Sequence, residues 1–120
     1  DSGQFKPMQL AAVEALKAPK EWYDTMNRTY RKRRDLAGKI MQALDCSYDE
    51  KQVGLFLWGK IPMNSLGSEA MADKVLCEAN VFITPGFIFG SGGNRHIRIS
   101  LCCKEEMLQE ALNRINKLQA

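Results

Sequence analysis

The sequence predicts an α/β fold, in which a small mixed sheet of about three strands packs with helices and follows one long helix. Three observations support this prediction. Apolar residues recur at helical spacing through residues 19–44. After residue 45, short runs of β-forming residues alternate with amphipathic segments. The 120 residues, of which 45% are hydrophobic and 26% charged, are enough for one core and too few for two.

The first predicted element is a short helix from Pro7 to Leu16. Its sequence, PMQLAAVEAL, places proline at the first helical position and apolar side chains around most of the circumference. Such a helix needs burial on several sides, and the remaining residues can hardly surround it. We therefore expect it to pack against a larger body.

A second helix is predicted for residues 19–44, because no glycine or proline interrupts the pattern between Pro19 and Gly38. At about 1.5 Å per residue, this helix is longer than one small domain needs, and we expect it to bridge two domains. Its apolar stripe consists of Met26, Tyr30, Ala37, Ile40, Met41 and Leu44.

A basic run, RTYRKRR, covers residues 28–34 of this helix. Clustered cations can bind a nucleic acid or an acidic partner, because they displace counterions. The alternative is a solvated helix face, supported by the i,i+4 spacing of Asp24 with Arg28 and of Arg31 with Asp35. The net charge of +3 is small and no nucleic-acid module accompanies the run. The solvated face is therefore favoured, and no nucleic-acid partner is expected.

Residues 52–61, QVGLFLWGKI, form the first predicted strand, since the run is short, apolar and rich in β-formers. Side chains alternate along a strand, so Phe56 and Trp58 share one face and Leu55 and Leu57 the other.

The next predicted helix covers residues 68–78, with Ser68 as its N-cap. Residues 80–84 are a second predicted strand. The last helix begins near Lys104, and Glu105 and Glu106 favour its positive end. Its apolar stripe consists of Leu108, Ala111, Leu112, Ile115 and Leu118. The helices are expected to cover one side of the sheet.

The third predicted strand, residues 95–101, contains an arginine between two isoleucines. Alternation places His96, Arg98 and Ser100 on one face and Ile97, Ile99 and Leu101 on the other. A guanidinium on a rigid strand can bind a carboxylate with two parallel hydrogen bonds. On pattern alone, the alternative of an exposed arginine on a sheet is favoured.

The glycine-rich loop before this strand, GSGGNR, lacks the lysine and hydroxyl residue of a phosphate-binding loop, and a strand follows it instead of a helix. Its glycines are better explained by tight turns and close backbone approach. His96 has no nucleophile motif nearby, which disfavours a role as general base.

The four cysteines, Cys46, Cys77, Cys102 and Cys103, match neither a disulfide scaffold nor a zinc pattern. Reduced thiols and no metal are therefore expected. No apolar run approaches the roughly 20 residues of a membrane helix, and the N-terminus has no secretory signal pattern. These features predict a cytoplasmic protein with no membrane partner.

The segment VFITPGFIFGSGGNRHIRISL resembles the C-terminal signature of class I/II pyridoxal-phosphate-dependent aminotransferases of fold type I. The matching residues are Pro85, Gly86, Phe89, Gly90, Gly93, Arg98 and Ser100. Upstream, MQLAAVEAL is similar to the helix after the cofactor-binding region, residues 19–44 to the interdomain connector, and GLFLWGKIP to the first small-domain strand. The resemblance implies three parts: residues 1–18 end the large cofactor-binding domain, 19–44 connect, and 45–120 form the C-terminal small α/β domain.

The resemblance also implies that Arg98 binds the α-carboxylate of the substrate. The substrates would be an α-amino acid and a 2-oxo acid. Phe56 and Trp58 become candidates for the substrate entrance, with core packing as the alternative. Where the family usually has an aromatic residue two positions before the arginine, this chain has His96, which leaves that wall of the pocket open.

The Schiff-base lysine, the aspartate on the pyridine nitrogen and the phosphate-binding arginine of the family have no counterpart here. The chain is therefore expected to be a C-terminal fragment without catalytic or cofactor-binding residues, inactive and free of pyridoxal phosphate by itself. The resemblance implies a homodimeric parent. Two alternatives stay open: another fold type I enzyme such as a carbon-sulfur lyase, and a stand-alone interaction or nucleic-acid-binding module that uses the basic helix.

Overall fold

The structure is a computed structural model, and it describes residues 3–118. In this range the chain forms four α-helices and four β-strands. In chain order they are α1 (Lys6–Leu16), α2 (Lys20–Ala43), β1 (Ser47–Tyr48), β2 (Phe56–Lys60), α3 (Ser68–Ala79), β3 (Thr84–Pro85), β4 (His96–Ser100) and α4 (Glu105–Asn116). Two 3-10 helices, Gly86–Phe89 and Ser91–Gly93, lie between β3 and β4, and we call the segment of residues 86–93 that they form the glycine loop.

The strands form one sheet in the order β1-β2-β4-β3. The predicted α/β class is confirmed, although the sheet has four strands instead of about three and every neighbouring pair is antiparallel instead of mixed. The difference has a topological cause. β2, α3 and β3 form a crossover whose two strands run in the same direction, and β4 inserts between them in the opposite direction. The strand predicted for residues 80–84 is wrong except at Thr84, where β3 begins, and β1 is not predicted at all. Both strands have only two residues, too few for an alternating pattern to appear.

The core lies on one side of this sheet. Leu57 of β2 and Ile97 and Ile99 of β4 are buried, with exposed fractions of 0%, 0% and 7%. They pack in one cluster with buried residues of the helices: Ala37, Ile40, Met41, Val75, Ala79, Leu108, Leu112 and Ile115. The predicted faces of β4 and the predicted stripe of α4 are confirmed, since each strand or helix buries one periodic set of apolar side chains.

The two N-terminal helices extend away from this core. None of the residues of α1 is buried, and the buried residues of α2 all lie between Ala37 and Met41. The burial expected for α1 is thus not supplied by residues 3–118. One bond joins the two helices at their junction, from the Tyr23 hydroxyl to the Ala15 carbonyl oxygen at 2.9 Å.

The prediction that Ser68 caps α3 is wrong. Gly67 occupies the N-cap, and Ser68 is the first helical residue, with 2% of its surface exposed. Its hydroxyl accepts a hydrogen bond from the Phe87 amide at 3.3 Å, and its own amide donates to the Asn94 carbonyl at 3.0 Å. Ser68 therefore joins α3 to the glycine loop instead of capping the helix.

The four cysteines form no disulfide in the structure. Cys46 differs from the others because only 6% of its surface is exposed and its sulfur contacts that of Met71 at 3.8 Å. Burial, with a smaller effect of the Asp45 carboxylate, raises the pKa of the Cys46 thiol from the ordinary value of 9.0 to about 11.

We expect the free energy of unfolding to fall as the pH rises from about 9 to 11, partly because of Cys46. A pKa raised in the folded state means that folding favours the neutral thiol, so its contribution is complete below the unfolded pKa and lost as the pH rises through about 11. The loss amounts to roughly 2 to 3 kcal/mol at most. Urea unfolding at several pH values measures it. Cys46→Ala is the matched control. If the free energy of unfolding falls equally steeply with pH in both proteins, the loss does not come from Cys46.

Candidate functional site

The outer face of the sheet carries the predicted site residues. Antiparallel pairing sets Trp58 of β2 opposite Arg98 of β4, and the next same-face positions are Phe56 on β2 and His96 on β4. Because the core takes the alternate residues, these four side chains share the other face. We call this set, together with Phe89 from the glycine loop, the arginine face.

Two aromatic rings pack against the guanidinium of Arg98. Its Cζ atom lies 4.2 Å from the ring centroid of Phe56 and 4.4 Å from that of Phe89. Each ring therefore lies within cation–π distance of the same guanidinium. Cation–π attraction of this kind contributes about 0.5 to 2 kcal/mol per ring. The sequence missed Phe89 as a site residue.

Arg98 has ring contacts, but a hydrogen-bond donor of its guanidinium lacks a partner in the described part of the chain. The Nε atom is buried and has no hydrogen-bond partner, and Arg98 forms no ion pair within residues 3–118. A buried donor without a partner costs about 1 to 3 kcal/mol, more when charged. An anion that accepts from this guanidinium would remove that cost, so the arrangement favours anion binding.

The row of rings continues beyond Arg98. Phe89 meets Trp58 edge-on, with centroids 5.8 Å apart, and Trp58 stacks on His96 at 5.3 Å with an interplanar angle of 15°. The His96 Nδ1 atom is also buried without a partner. Gln52 fixes the Trp58 backbone, because its amide group donates to the Trp58 carbonyl at 2.7 Å and accepts from the Trp58 N–H at 2.9 Å. The sequence did not single out Gln52, since no local motif connects it to Trp58.

The glycine loop supplies the upper ring of the arginine face. Gly86 and Gly93 are both buried, and a Cβ atom built on Gly93 would lie 1.9 Å from the Gly86 carbonyl oxygen. The predicted close backbone approach is thus confirmed. This contact closes the base of the loop, and Phe89 stands at its tip with 52% of its surface exposed.

The arginine face is open to solvent. Phe56 is 41% exposed, and Arg98, Trp58 and His96 are half-buried. The prediction that Phe56 and Trp58 share a face is confirmed, and neither of them belongs to the buried core.

The basic run lies elsewhere and serves other contacts. Arg33 donates to the Glu105 carboxylate at 3.2 Å and to the Leu101 carbonyl at 3.1 Å, and Arg34 donates to the Gln52 carbonyl. The two predicted pairs within α2, Asp24 with Arg28 and Arg31 with Asp35, are absent from the ion pairs of the described residues. Arg28 bonds the Thr25 hydroxyl instead. Part of the run thus attaches α2 to α4 and to the segments before β2 and after β4.

No buried lysine is available within residues 3–118 to form a Schiff base with pyridoxal phosphate. All lysines between residues 3 and 118 are exposed, whereas a lysine that forms a Schiff base is usually desolvated to lower its pKa. In the same range no group of three or more histidine, cysteine or acidic residues could hold a metal ion. None of the helices in this range has the length and apolar character needed to cross a membrane.

Comparison with known proteins identifies one family. The family model described as aminotransferase class I and II matches residues 3–115. An LL-diaminopimelate aminotransferase of Maridesulfovibrio salexigens is 35% identical over 118 residues, which cover 98% of this chain and 30% of the relative. Transaminase BacF of Bacillus subtilis is 36% identical over 117 residues, or 97% of this chain and 29% of BacF. This chain therefore spans about 30% of the length of these curated relatives.

Solved structures of aminotransferases are also similar to this chain. The chain superposes on the apo structure of BacF with a TM-score of 0.75 at 35% identity, covering 98% of this chain and 30% of that one. The aromatic aminotransferase of Pyrococcus horikoshii gives a TM-score of 0.76 at 29% identity, covering 92% of this chain and 30% of that one. Both neighbours are longer proteins of which this chain matches one portion.

Proposed function

Since this chain belongs to the aminotransferase class I and II family, we propose that it is the C-terminal part of a pyridoxal-phosphate-dependent aminotransferase, called the parent enzyme below. The parent enzyme transfers an amino group between an α-amino acid and a 2-oxo acid. The observation that carries the proposal is Arg98, whose guanidinium packs against two rings on an exposed face and whose buried Nε donor has no hydrogen-bond partner within the described residues.

The role proposed for Arg98 is to bind the α-carboxylate of the substrate. Two parallel N–H···O bonds to a carboxylate would satisfy donors that no residue of the described chain satisfies. A substrate fixed at its carboxylate has its reacting Cα–H bond oriented, and such orientation accounts for several kcal/mol of many enzymatic barriers. Phe56 and Trp58 would form the wall of the entrance beside the arginine.

The proposed division of the chain follows the burial of its helices. Residues 1–18 would end the large cofactor-binding domain, 19–44 connect the domains, and 45–120 form the small domain. The absence of buried residues in α1 supports this division, as does the restriction of burial in α2 to the segment from Ala37 to Met41. Apolar side chains of α1 such as Leu10 and Leu16, 57% and 81% exposed, would pack against the large domain.

The family implies pyridoxal phosphate in the parent enzyme, and the residues that hold it would lie outside this chain. We propose that the 120-residue chain alone neither binds the cofactor nor catalyses, because its described lysines are all exposed. The parent enzyme would be a cytoplasmic homodimer whose active sites lie at the subunit interface. A carbon-sulfur lyase of the same fold remains the alternative, since it would need the same carboxylate-binding arginine. A nucleic-acid role of the basic run is not supported, because Arg33 and Arg34 are engaged within the chain.

The parent enzyme is expected to convert an α-amino acid and a 2-oxo acid into the corresponding pair of products with no release of ammonia. Incubation with a panel of amino acids and 2-oxoglutarate, followed by chromatography of both products, measures this. The 120-residue chain is the control and should show neither turnover nor retained cofactor absorbance after gel filtration. Release of ammonia and a thiol from sulfur amino acids, without amino transfer, would instead favour the lyase.

A further inference from the structure

The two rings that hold Arg98 come from different kinds of element. Phe56 belongs to β2, and its strand partner is Ser100, two residues from Arg98. Phe89 comes from the glycine loop, and its ring centroid lies 4.4 Å from the Arg98 Cζ atom. We infer that Phe89 is a positioning and specificity-determining residue: it confines Arg98 to binding a planar carboxylate edge-on. The inference rests on the function proposed for Arg98.

The loop that carries Phe89 is anchored at three points. Its base is closed by the contact of Gly86 with Gly93. The Phe87 amide donates to the hydroxyl of buried Ser68 at 3.3 Å, and the Gly90 amide donates back to the Phe87 carbonyl at 2.9 Å. Each bond holds the backbone next to Phe89. The ring is therefore presented to Arg98 by a fixed loop.

The side chain of Phe89 is also held laterally. Its ring meets Trp58 edge-on at 5.8 Å, and both backbone groups of Trp58 are bound by the Gln52 side chain. Edge-to-face contacts of this kind contribute about 0.5 to 1.5 kcal/mol. Trp58 therefore supports Phe89, while Phe89 is the ring that lies against the guanidinium.

Burial does not explain this position of Phe89. About half of the side chain, 52%, is exposed, and Phe89 is not part of the hydrophobic core. Its ring contacts the Arg98 guanidinium and meets the Trp58 ring in an edge-to-face arrangement. Phe89 gains little burial but covers the charged Arg98 guanidinium. Its position is therefore better explained by an effect on anion binding to Arg98.

Two rings at 4.2 and 4.4 Å from the Cζ atom restrict the directions from which an anion can approach the guanidinium. The N–H donors point outward in the plane of the guanidinium, and a planar carboxylate can accept two of them without leaving it. A tetrahedral sulfonate or phosphonate has an oxygen above or below the plane, where it would meet the negative face of a ring. Phe56 and Phe89 packed against Arg98 should therefore favour binding of carboxylates over tetrahedral anions of the same charge.

The test uses the parent enzyme with Phe89→Leu, Phe89→Tyr and the neighbouring control Ile88→Ala. Ile88 has a similar exposure, 55%, and is not part of the arginine face. Propionate and ethanesulfonate, which share an ethyl group, serve as competitive inhibitors that differ in the shape of the anion. Melting temperature and cofactor absorbance are recorded for every variant.

Phe89→Leu is expected to raise KM for the amino acid about 10-fold, with a smaller change in kcat. It should also reduce the preference for propionate over ethanesulfonate. Phe89→Tyr keeps a ring and should restore both values, while Ile88→Ala should change neither. The melting temperature is expected to fall only slightly, because Phe89 is half-exposed and lies outside the core.

Unchanged KM and unchanged inhibitor preference in Phe89→Leu would overturn the inference, and so would a loss of activity that only follows a loss of stability. The proposed function is tested separately by Arg98→Ala in the same assays. If Arg98→Ala raises KM and Phe89→Leu does not, the carboxylate site stands and the positioning role fails. If Arg98→Ala has no effect either, both fail.

Discussion

Arg98→Ala in the parent enzyme is expected to lower kcat/KM for α-amino acids by at least about 100-fold, or roughly 3 kcal/mol. The charged donors that accept the substrate carboxylate are lost, and no other arginine or lysine belongs to the arginine face to replace them. Cofactor binding should be retained, because Arg98 contacts Phe56 and Phe89 on the outer side of the sheet and is not part of the core. Steady-state kinetics and cofactor absorbance measure the two effects separately.

Two controls separate loss of the carboxylate contact from general damage. Arg98→Lys keeps the charge but cannot form two parallel hydrogen bonds to one carboxylate. An intermediate loss of kcat/KM is therefore expected. Arg31→Ala removes an exposed arginine outside the arginine face and should leave kcat/KM unchanged. Wild-type kinetics in Arg98→Ala would contradict the role proposed for this residue.

The helices and strands along which apolar residues recur at a regular spacing could be predicted from the sequence. Leu108, Leu112 and Ile115 recur at helical spacing, and all three are buried. The alternation around Arg98 predicted which side of β4 faces the core. In contrast, β1 and β3 pair through two residues each, too few for a period to appear. Ser68 has the chemistry of an N-cap, but Gly67, with φ of 154°, takes that position, and the tertiary contact with the glycine loop determines the role of the serine.

The arginine face could be predicted only in part, for a related reason. Arg98, Phe56 and Trp58 are brought together by strand pairing, which a period of two makes visible in the sequence. Phe89 reaches the same place through a loop whose course depends on one contact, between Gly86 and Gly93. No periodicity encodes a contact of this kind. The glycines indicate that backbones approach closely, and they do not indicate which side chain the loop then presents.

That contact leads to the second large prediction, which concerns stability. Gly93→Ala is expected to lower the free energy of unfolding by about 3 kcal/mol or more, because the new Cβ would lie 1.9 Å from the Gly86 carbonyl oxygen and 2.4 Å from its carbonyl carbon. Both are backbone atoms, so no side-chain rotation relieves the overlap and the base of the loop must open. Urea unfolding followed by tryptophan fluorescence and circular dichroism measures the loss.

Gly92→Ala, one residue away, is the matched control. A Cβ at Gly92 meets no heavy atom within 4 Å, and Gly92 is not among the glycines with positive φ. This variant should therefore stay within about 0.5 kcal/mol of the wild type. Equal stability of the two variants would show that the loop tolerates separation of Gly86 from Gly93. Phe89 belongs to that loop, and in Gly93→Ala its ring would no longer be held against Arg98. A parent enzyme with this substitution that still folds should therefore bind its amino acid more weakly, as expected for Phe89→Leu.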